Sequence, residues 1–416
     1  MEPRKAVIVG YDAVSPLGIT LNTQWDRALK GESGIGFLSR FPVKEDFPVR
    51  IAGQVKDIDN LSYPFLKPRE RAAWSSPVFR NAMLTVQRAL ENNGIEITPD
   101  IAPRVAITYS SAVGGLDAIL NADRGIIADN KLPHPYSNPN SCINMVGGKI
   151  SMMTGATGPI MATITACATG LTSMIVGSMI LEQGRADMVI CGAADFALFE
   201  SIVAGFATMN GTYYPKEGQE KEPPEKASCP FSIHRRGFVL SEGAGAIILA
   251  AKEFAEANGL GYDIEIAGAS MTSDAYHFVA PNFETVKRCI AESIAYAGIT
   301  PREIDAVNAH AASTKIGDKV EFDALNAVFQ GQIPPVTGNK SLIGHAMGAS
   351  SAIESIFAFK GMLDNVLPPT INYRPDPEIE LDCVAEGKRK VQQEYVLKNA
   401  FGFGGCNSCV VFRRAR

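Results

Sequence analysis

The 416 residues lack a long hydrophobic run. The longest apolar stretches, Met174–Leu181 and Ala246–Ala251, fall far short of the roughly 20 residues that a membrane-crossing helix needs. Positive charge is not in excess. Lys and Arg number 39 against 44 Asp and Glu, for a net charge of −5, which argues against binding to nucleic acid through phosphates. Eight cysteines, at 142, 167, 191, 229, 289, 383, 406 and 409, lack paired CxxC spacing. Cys406 and Cys409 form a lone CxxC with no second pair or nearby histidine. Neither a disulfide framework nor a metal site is expected, and a reducing cytoplasm is the natural compartment.

What is present is ordinary for a globular enzyme. The 46% hydrophobic and 20% charged shares exclude a disordered or coiled-coil chain. The length suits two domains or one large duplicated one. Met1–Lys5 run straight into Ala6–Val9, which reads as a first strand, with neither signal-peptide nor transit-peptide character. The 38 glycines suit an α/β enzyme with many tight turns beside ligands.

β-rich runs alternate with helical patterns, which argues for α/β layers. Ala6–Val9, Val105–Thr108, Met188–Cys191 and Ala246–Leu249 read as strands, with helices over Ala73–Asn92 and Ala168–Gln183. The rhythm then repeats. Strands are expected at Asp263–Ala269, Ala306–Ala309, Glu394–Asn399 and Ser408–Arg413, and helices at Phe283–Ala297, Lys319–Phe329 and Ser350–Met362. A boundary near 255 gives two unequal halves, 1–255 and 256–416, with no evident identity between them. The polar, proline-bearing stretch 213–229 reads as a solvated loop.

Chemistry concentrates in a few places. Cys167 lies where the β-branched run Thr163–Thr165 gives way to a helical pattern of small residues. A thiol at a helix N-terminus sees the positive end of the dipole, which favours thiolate. The plainer reading is a buried structural cysteine. Only five histidines occur. Two of them, His310 and His345, sit in small-residue strand exits, in the company of Lys340 and Glu321. Phe401–Asn407 is a glycine-rich turn whose peptide N–H groups could hold an oxyanion, or simply a tight turn.

Five ordered segments together resemble one family. They are Val9–Gly18, Thr165–Gly170, Arg236–Gly245, the His310 and Lys340/His345 loops, and Phe401–Asn407. The chain resembles the β-ketoacyl-acyl carrier protein synthases of the elongating, two-histidine type over nearly its whole length. The resemblance implies an α/β thiolase fold with duplicated βαβαβαββ halves in a five-layered α-β-α-β-α arrangement, usually a homodimer. The half 1–255 would carry the nucleophile, and 256–416 the histidines and the glycine-rich gate. Cys167 would take an acyl chain from acyl carrier protein, whose phosphopantetheine arm carries acyl and malonyl groups. His310 and His345 would promote decarboxylation of the extender. The N–H groups of Cys167 and Phe403 would form an oxyanion hole, with the Phe403 ring as a gate. Lys340 and Glu321 would hold the histidine loops, with Thr314 and Asn407 in support. Lys67, Arg69 and Arg71, with Lys131, would meet the acidic carrier. No cofactor is implied.

Three positions depart from the family's usual pattern. Ala312, Val279 and Cys406 stand where the family commonly has threonine, which favours a specialised condensing enzyme over a housekeeping elongase. Two rivals remain: a non-catalytic partner subunit of a heterodimer, and a coenzyme A-dependent thiolase-type acyltransferase using Cys406 as its second cysteine.

Overall fold

The computed structural model describes residues 4–58, 61–209, 211–213 and 223–415. Its frame is a mixed sheet of β1 (Ala6–Val14), β2 (Val105–Ile107), β3 (Met188–Asp195), β4 (Gly243–Ala251), β5 (Ile264–Ser273), β6 (Ala306–Asn308), β7 (Val336–Thr337), β8 (Tyr395–Gly402) and β9 (Cys406–Arg414). The spatial order is β2-β3-β4-β1-β5-β9-β8-β6-β7.

That order contains a repeat. β1 pairs antiparallel with β4, β4 antiparallel with β3, and β3 parallel with β2. In the second half β5 pairs antiparallel with β9, β9 antiparallel with β8, and β8 parallel with β6. The β6–β7 ladder has its counterpart in the parallel bridge between Ile107 and Ile160. The halves join through two rungs of β1 and β5, Val7–Glu265 and Ile8–Ile264.

The helices that matter for the site are α1 (Pro77–Glu91), α2 (Asn144–Thr154), α3 (Thr169–Glu182), α4 (Phe283–Tyr296), α5 (Lys315–Phe329) and α6 (Met347–Asp364). α3 and α6 pack on each other and on strands of both halves, whereas α1 covers only the first half and α4 only the second. The layers therefore run α-β-α-β-α, the thiolase arrangement. Composition explains it. β3 and β4 are buried at every position, as a sheet covered on both faces requires. α3 and α6 are buried on nearly all sides, as helices apolar all round must be. Their contact depends on Gly170, where a Cβ would meet the Ala352 nitrogen at 2.7 Å.

Several expected elements change shape. The helix expected over Ala73–Asn92 starts only at Pro77, as α1, and a separate short helix at Pro68–Ala73 precedes it. Pro77 causes the break. Its ring forces Ser76 into an extended conformation (ψ 131°) and suits the first turn of a helix. α5 starts four residues earlier than expected, because Thr314 caps it by accepting the Gly317 N–H. The stretch 213–229 is not wholly a solvated loop: Tyr213, Ala227, Ser228 and Cys229 are buried. Residues 214–222 of it lie outside the described residues.

Candidate active site

Cys167 sits in the single turn Ala166–Ala168 that leads into α3. Ala166 has φ +48°, a left-handed conformation that costs an L-residue about 1–2 kcal/mol. The turn is pinned locally: Thr169 Oγ1 accepts the Thr165 N–H at 3.0 Å and donates to the Ala166 carbonyl at 2.7 Å. The β8–β9 turn lies directly over it. Glycine is needed at 402, where a Cβ would stand 2.3 Å from the Thr165 oxygen and 3.3 Å from the Cys167 nitrogen.

The thiol is buried, and burial pushes it up to about 11. The Lys340 ammonium and the peptide N–H groups of Phe403 and of Cys167 itself pull the other way. The expectation that the helix terminus favours thiolate is therefore opposed by desolvation, and the resting site holds a thiol.

Cys167 lines a narrow cavity of about 60 Å³ together with His310, His345, Phe403, Thr314, Ala312 and Val279. The imidazoles stand edge to face, centroids 5.7 Å apart. Both lie well below the ordinary histidine value, first because they are buried and then because of Lys340. Both are therefore neutral near pH 7. Ser350 Oγ accepts the Ala346 N–H at 2.7 Å and lies 3.0 Å from His345 Nδ1. With the hydroxyl hydrogen assigned to Nδ1, His345 is the tautomer whose Nε2–H is a donor.

Lys340 and Glu321 do not line the cavity; they hold the His310 peptide. Glu321 accepts the N–H groups of His310 and Ala311 at 2.8 and 2.7 Å. Lys340 Nζ donates to the His310 carbonyl at 2.6 Å. This anchoring supports a strained loop, since Ala311 and Ser313 have φ +36° and +66°. Phe403 is half-buried and packs near Phe206 and Phe238. Asn407 is buried and donates to Asp274 at 2.6 Å, behind the glycine-rich turn. Thr314 combines cap and cavity wall.

Lys67, Arg69, Arg71 and Lys131 are exposed and none lines the cavity with Cys167. Arg71 donates to the Tyr63 carbonyl at 3.0 Å, and Lys131 borders a separate cleft with Arg124 and His134. Cys406 is likewise absent from the cavity wall. Among the described residues there is no cluster of side chains suited to a metal, and no helix is long and apolar enough to cross a membrane.

Four buried charges were not singled out from the sequence. Asp274 lines the cavity and accepts the Asn282 N–H at 3.1 Å. Asp195, at the end of β3, accepts from Ser111 and from the N–H groups of Ala112, Val113 and Ala349, tying the first half to the start of α6. Burial still raises it to about 6. Glu354 and Lys398 are fully buried and bonded to each other at 2.8 Å. For Asp195, Glu354 and Lys398, a charged residue inside an apolar helix or strand was the available signal.

Family models for the β-ketoacyl synthase N-terminal and C-terminal domains match residues 4–255 and 264–374. The chain belongs to the β-ketoacyl synthase family. Its relatives include a protein of Coxiella burnetii and one of Vibrio harveyi, each named 3-oxoacyl-[acyl-carrier-protein] synthase 2. Each is 34% identical, covering 100% of this chain and 99% of the relative. Among solved structures, a β-ketoacyl synthase from Burkholderia phymatum superposes with TM-score 0.90 at 27% identity, covering 99% of this chain and all of that one. A type II polyketide ketosynthase, bound to a hexaketide and in complex with its acyl-carrier protein, gives 0.89 at 25% over the full length of both.

Proposed function

We propose that this chain is a ketosynthase, an acyltransferase that joins a cysteine-bound acyl group to a malonyl unit carried on acyl carrier protein. The observation that carries the reading is the meeting of Cys167, two neutral imidazoles and the Phe403 peptide N–H around one narrow cavity. Burial keeps the Cys167 thiol protonated at rest, and its proton leaves with the departing carrier thiol.

The Cys167 sulfur attacks the acyl thioester carbonyl. The C–S bond to the carrier breaks, and the carrier thiol takes the proton that Cys167 loses. A malonyl thioester then enters, and its carboxylate leaves as CO2. The electron pair of that C–C bond passes into an enolate whose oxygen the imidazole N–H groups of His310 and His345 stabilise. The enolate carbon attacks the Cys167 thioester. The resulting oxyanion faces the N–H groups of Cys167 and Phe403 and collapses with cleavage of the C–S bond; Cys167 leaves as the thiolate and takes a proton from water to restore the thiol. The product is a 3-ketoacyl carrier longer by two carbons.

Ala312 and Val279 line the cavity without offering a hydroxyl, which supports a specialised lipid or polyketide substrate. Exposed Ile126, Ile127, Met161 and Ile164 support a homodimer, and eight free cysteines support a reducing cytoplasm. The repeated strand order supports the division at 255. The test is incubation with a panel of acyl carrier thioesters plus malonyl carrier, read by intact mass. An acyl adduct on Cys167, a product two carbons longer and loss of both in Cys167→Ala are expected. A wild-type chain that takes no acyl group would favour the non-catalytic partner subunit.

A further inference from the structure

The two residues that bracket Lys340 in space complete a circuit. Lys340 Nζ donates to the His310 carbonyl and, at 2.6 Å, to Glu354 Oε1. The other oxygen of Glu354 accepts from Lys398 Nζ at 2.8 Å. Lys398 also donates to the Asn399 carbonyl at 2.7 Å. The Asn399 amide donates to Glu321 Oε1 at 3.1 Å, and that same oxygen accepts the His310 N–H. The path returns to the residue where it began, from the His310 carbonyl to the His310 N–H. Lys340, Lys398, Glu354 and Glu321 are each no more than 1% exposed, so two buried cations balance two buried anions.

We propose that Lys398 is a positioning residue for His310, closing a hydrogen-bonded ring of buried charges that fixes the backbone at His310 through both its N–H and its C=O. A buried lysine is costly unless every donor finds a partner, so such a residue inside the apolar strand β8 demands an explanation beyond packing. Packing alone would be served by leucine. The ring instead gives Glu354 a ligand on each oxygen and prevents it from drawing Lys340 away from the histidine loop.

The ring also sets the charge that the imidazoles feel. Around His310 stand Glu321 and Asp318 from α5, Lys340 and His345 from the following loop, Glu354 from α6, Lys398 from β8, and Cys167 and Asp274 across the cavity. Lys340 and Lys398 both press the two imidazoles toward the neutral form. Loss of the Lys398 cation therefore raises their pKa values.

The inference rests on the proposed reaction, and its test separates the two. Lys398→Met removes donor and charge, and Lys398→Gln keeps a donor and removes the charge. In the Met variant, decarboxylation of malonyl carrier should fall on the order of 10- to 100-fold, the scale of a displaced catalytic group. Acylation of Cys167 should be unchanged. The Gln variant should recover most of the rate. In both, histidine resonances titrated by NMR without substrate should show raised pKa values for His310 and His345. If Lys398→Met does not fold, Asn399→Ala cuts the ring at Glu321 and must lower decarboxylation in the same selective way. Wild-type rates with unshifted imidazoles would overturn the proposal. So would acylation falling in parallel, or a Gln variant no better than Met. A wild-type chain that does not condense at all would overturn the reaction instead, while the imidazole titration still reads the ring.

Discussion

His310 and His345 come from loops separated by helix α5 and strand β7, yet their rings meet at 83° with centroids 5.7 Å apart. Phe401 closes on His310 from one side and Phe238 on His345 from the other, at 5.7 and 5.3 Å. Removing either imidazole leaves negative charge on the extender oxygen with one donor fewer. Each of His310→Ala and His345→Ala should lose about 2.7–4 kcal/mol of transition-state stabilisation, roughly a 100- to 1000-fold fall in decarboxylation. Acylation of Cys167 should survive in at least one of them. Because both imidazoles sit well below 6.5, wild-type decarboxylation should hold its rate as pH falls through 6.5. Near-normal decarboxylation in both variants would remove the pair from the reaction.

The thiol yields a pH prediction with a definite sign. Its folded value is raised to about 11 by burial, so the folded state keeps its proton where an unfolded chain has lost it. Stability from this group is fully present below about 9 and is lost as pH rises from there toward 11. Iodoacetamide labelling of Cys167, followed by mass, should accelerate steadily between pH 8 and 10. A rate that levels off below pH 8 would show that the helix terminus and Lys340 outweigh burial.

Gly402 sets the distance between the glycine-rich turn and the nucleophile. Gly402→Ala drives a methyl into the Thr165 carbonyl, a backbone atom that cannot rotate away. The expected cost is about 1–3 kcal/mol of stability. The acylation rate should fall more than stability implies, because the Phe403 N–H moves off the sulfur. Chemical denaturation alongside single-turnover acylation would check this, and an unaltered acylation rate would free the turn of any role in positioning.

Carrier docking is predicted at the exposed start of the Pro68–Ala73 helix, apart from the cavity. Lys67→Glu with Arg69→Glu should slow association with acyl carrier protein and flatten its salt dependence. Turnover of a small thioester that needs no carrier should be unchanged. Stopped-flow binding at several salt concentrations reads the effect, and equal losses with both substrates would point to misfolding.

The order of motifs along the chain was enough to establish the family and to nominate Cys167, His310 and His345 as its candidate site, because each motif is a local run of residues around one turn. The strand and helix rhythm was legible for the same reason: burial imposes its period within a dozen residues. The proline start of α1 was also written locally, in Ser76-Pro77, though the apolar pattern before it placed the start four residues too early. Tertiary structure alone decided the rest. Glu354 and Lys398 look like isolated charges in apolar segments until α6 and β8 are laid together, and Asp195 shows its purpose only where the loop after β2 meets the start of α6. The protonation of Cys167 was decided there too. A helix terminus is a property of a few consecutive residues, whereas desolvation is the sum of everything packed around the sulfur, contributed by both halves of the chain.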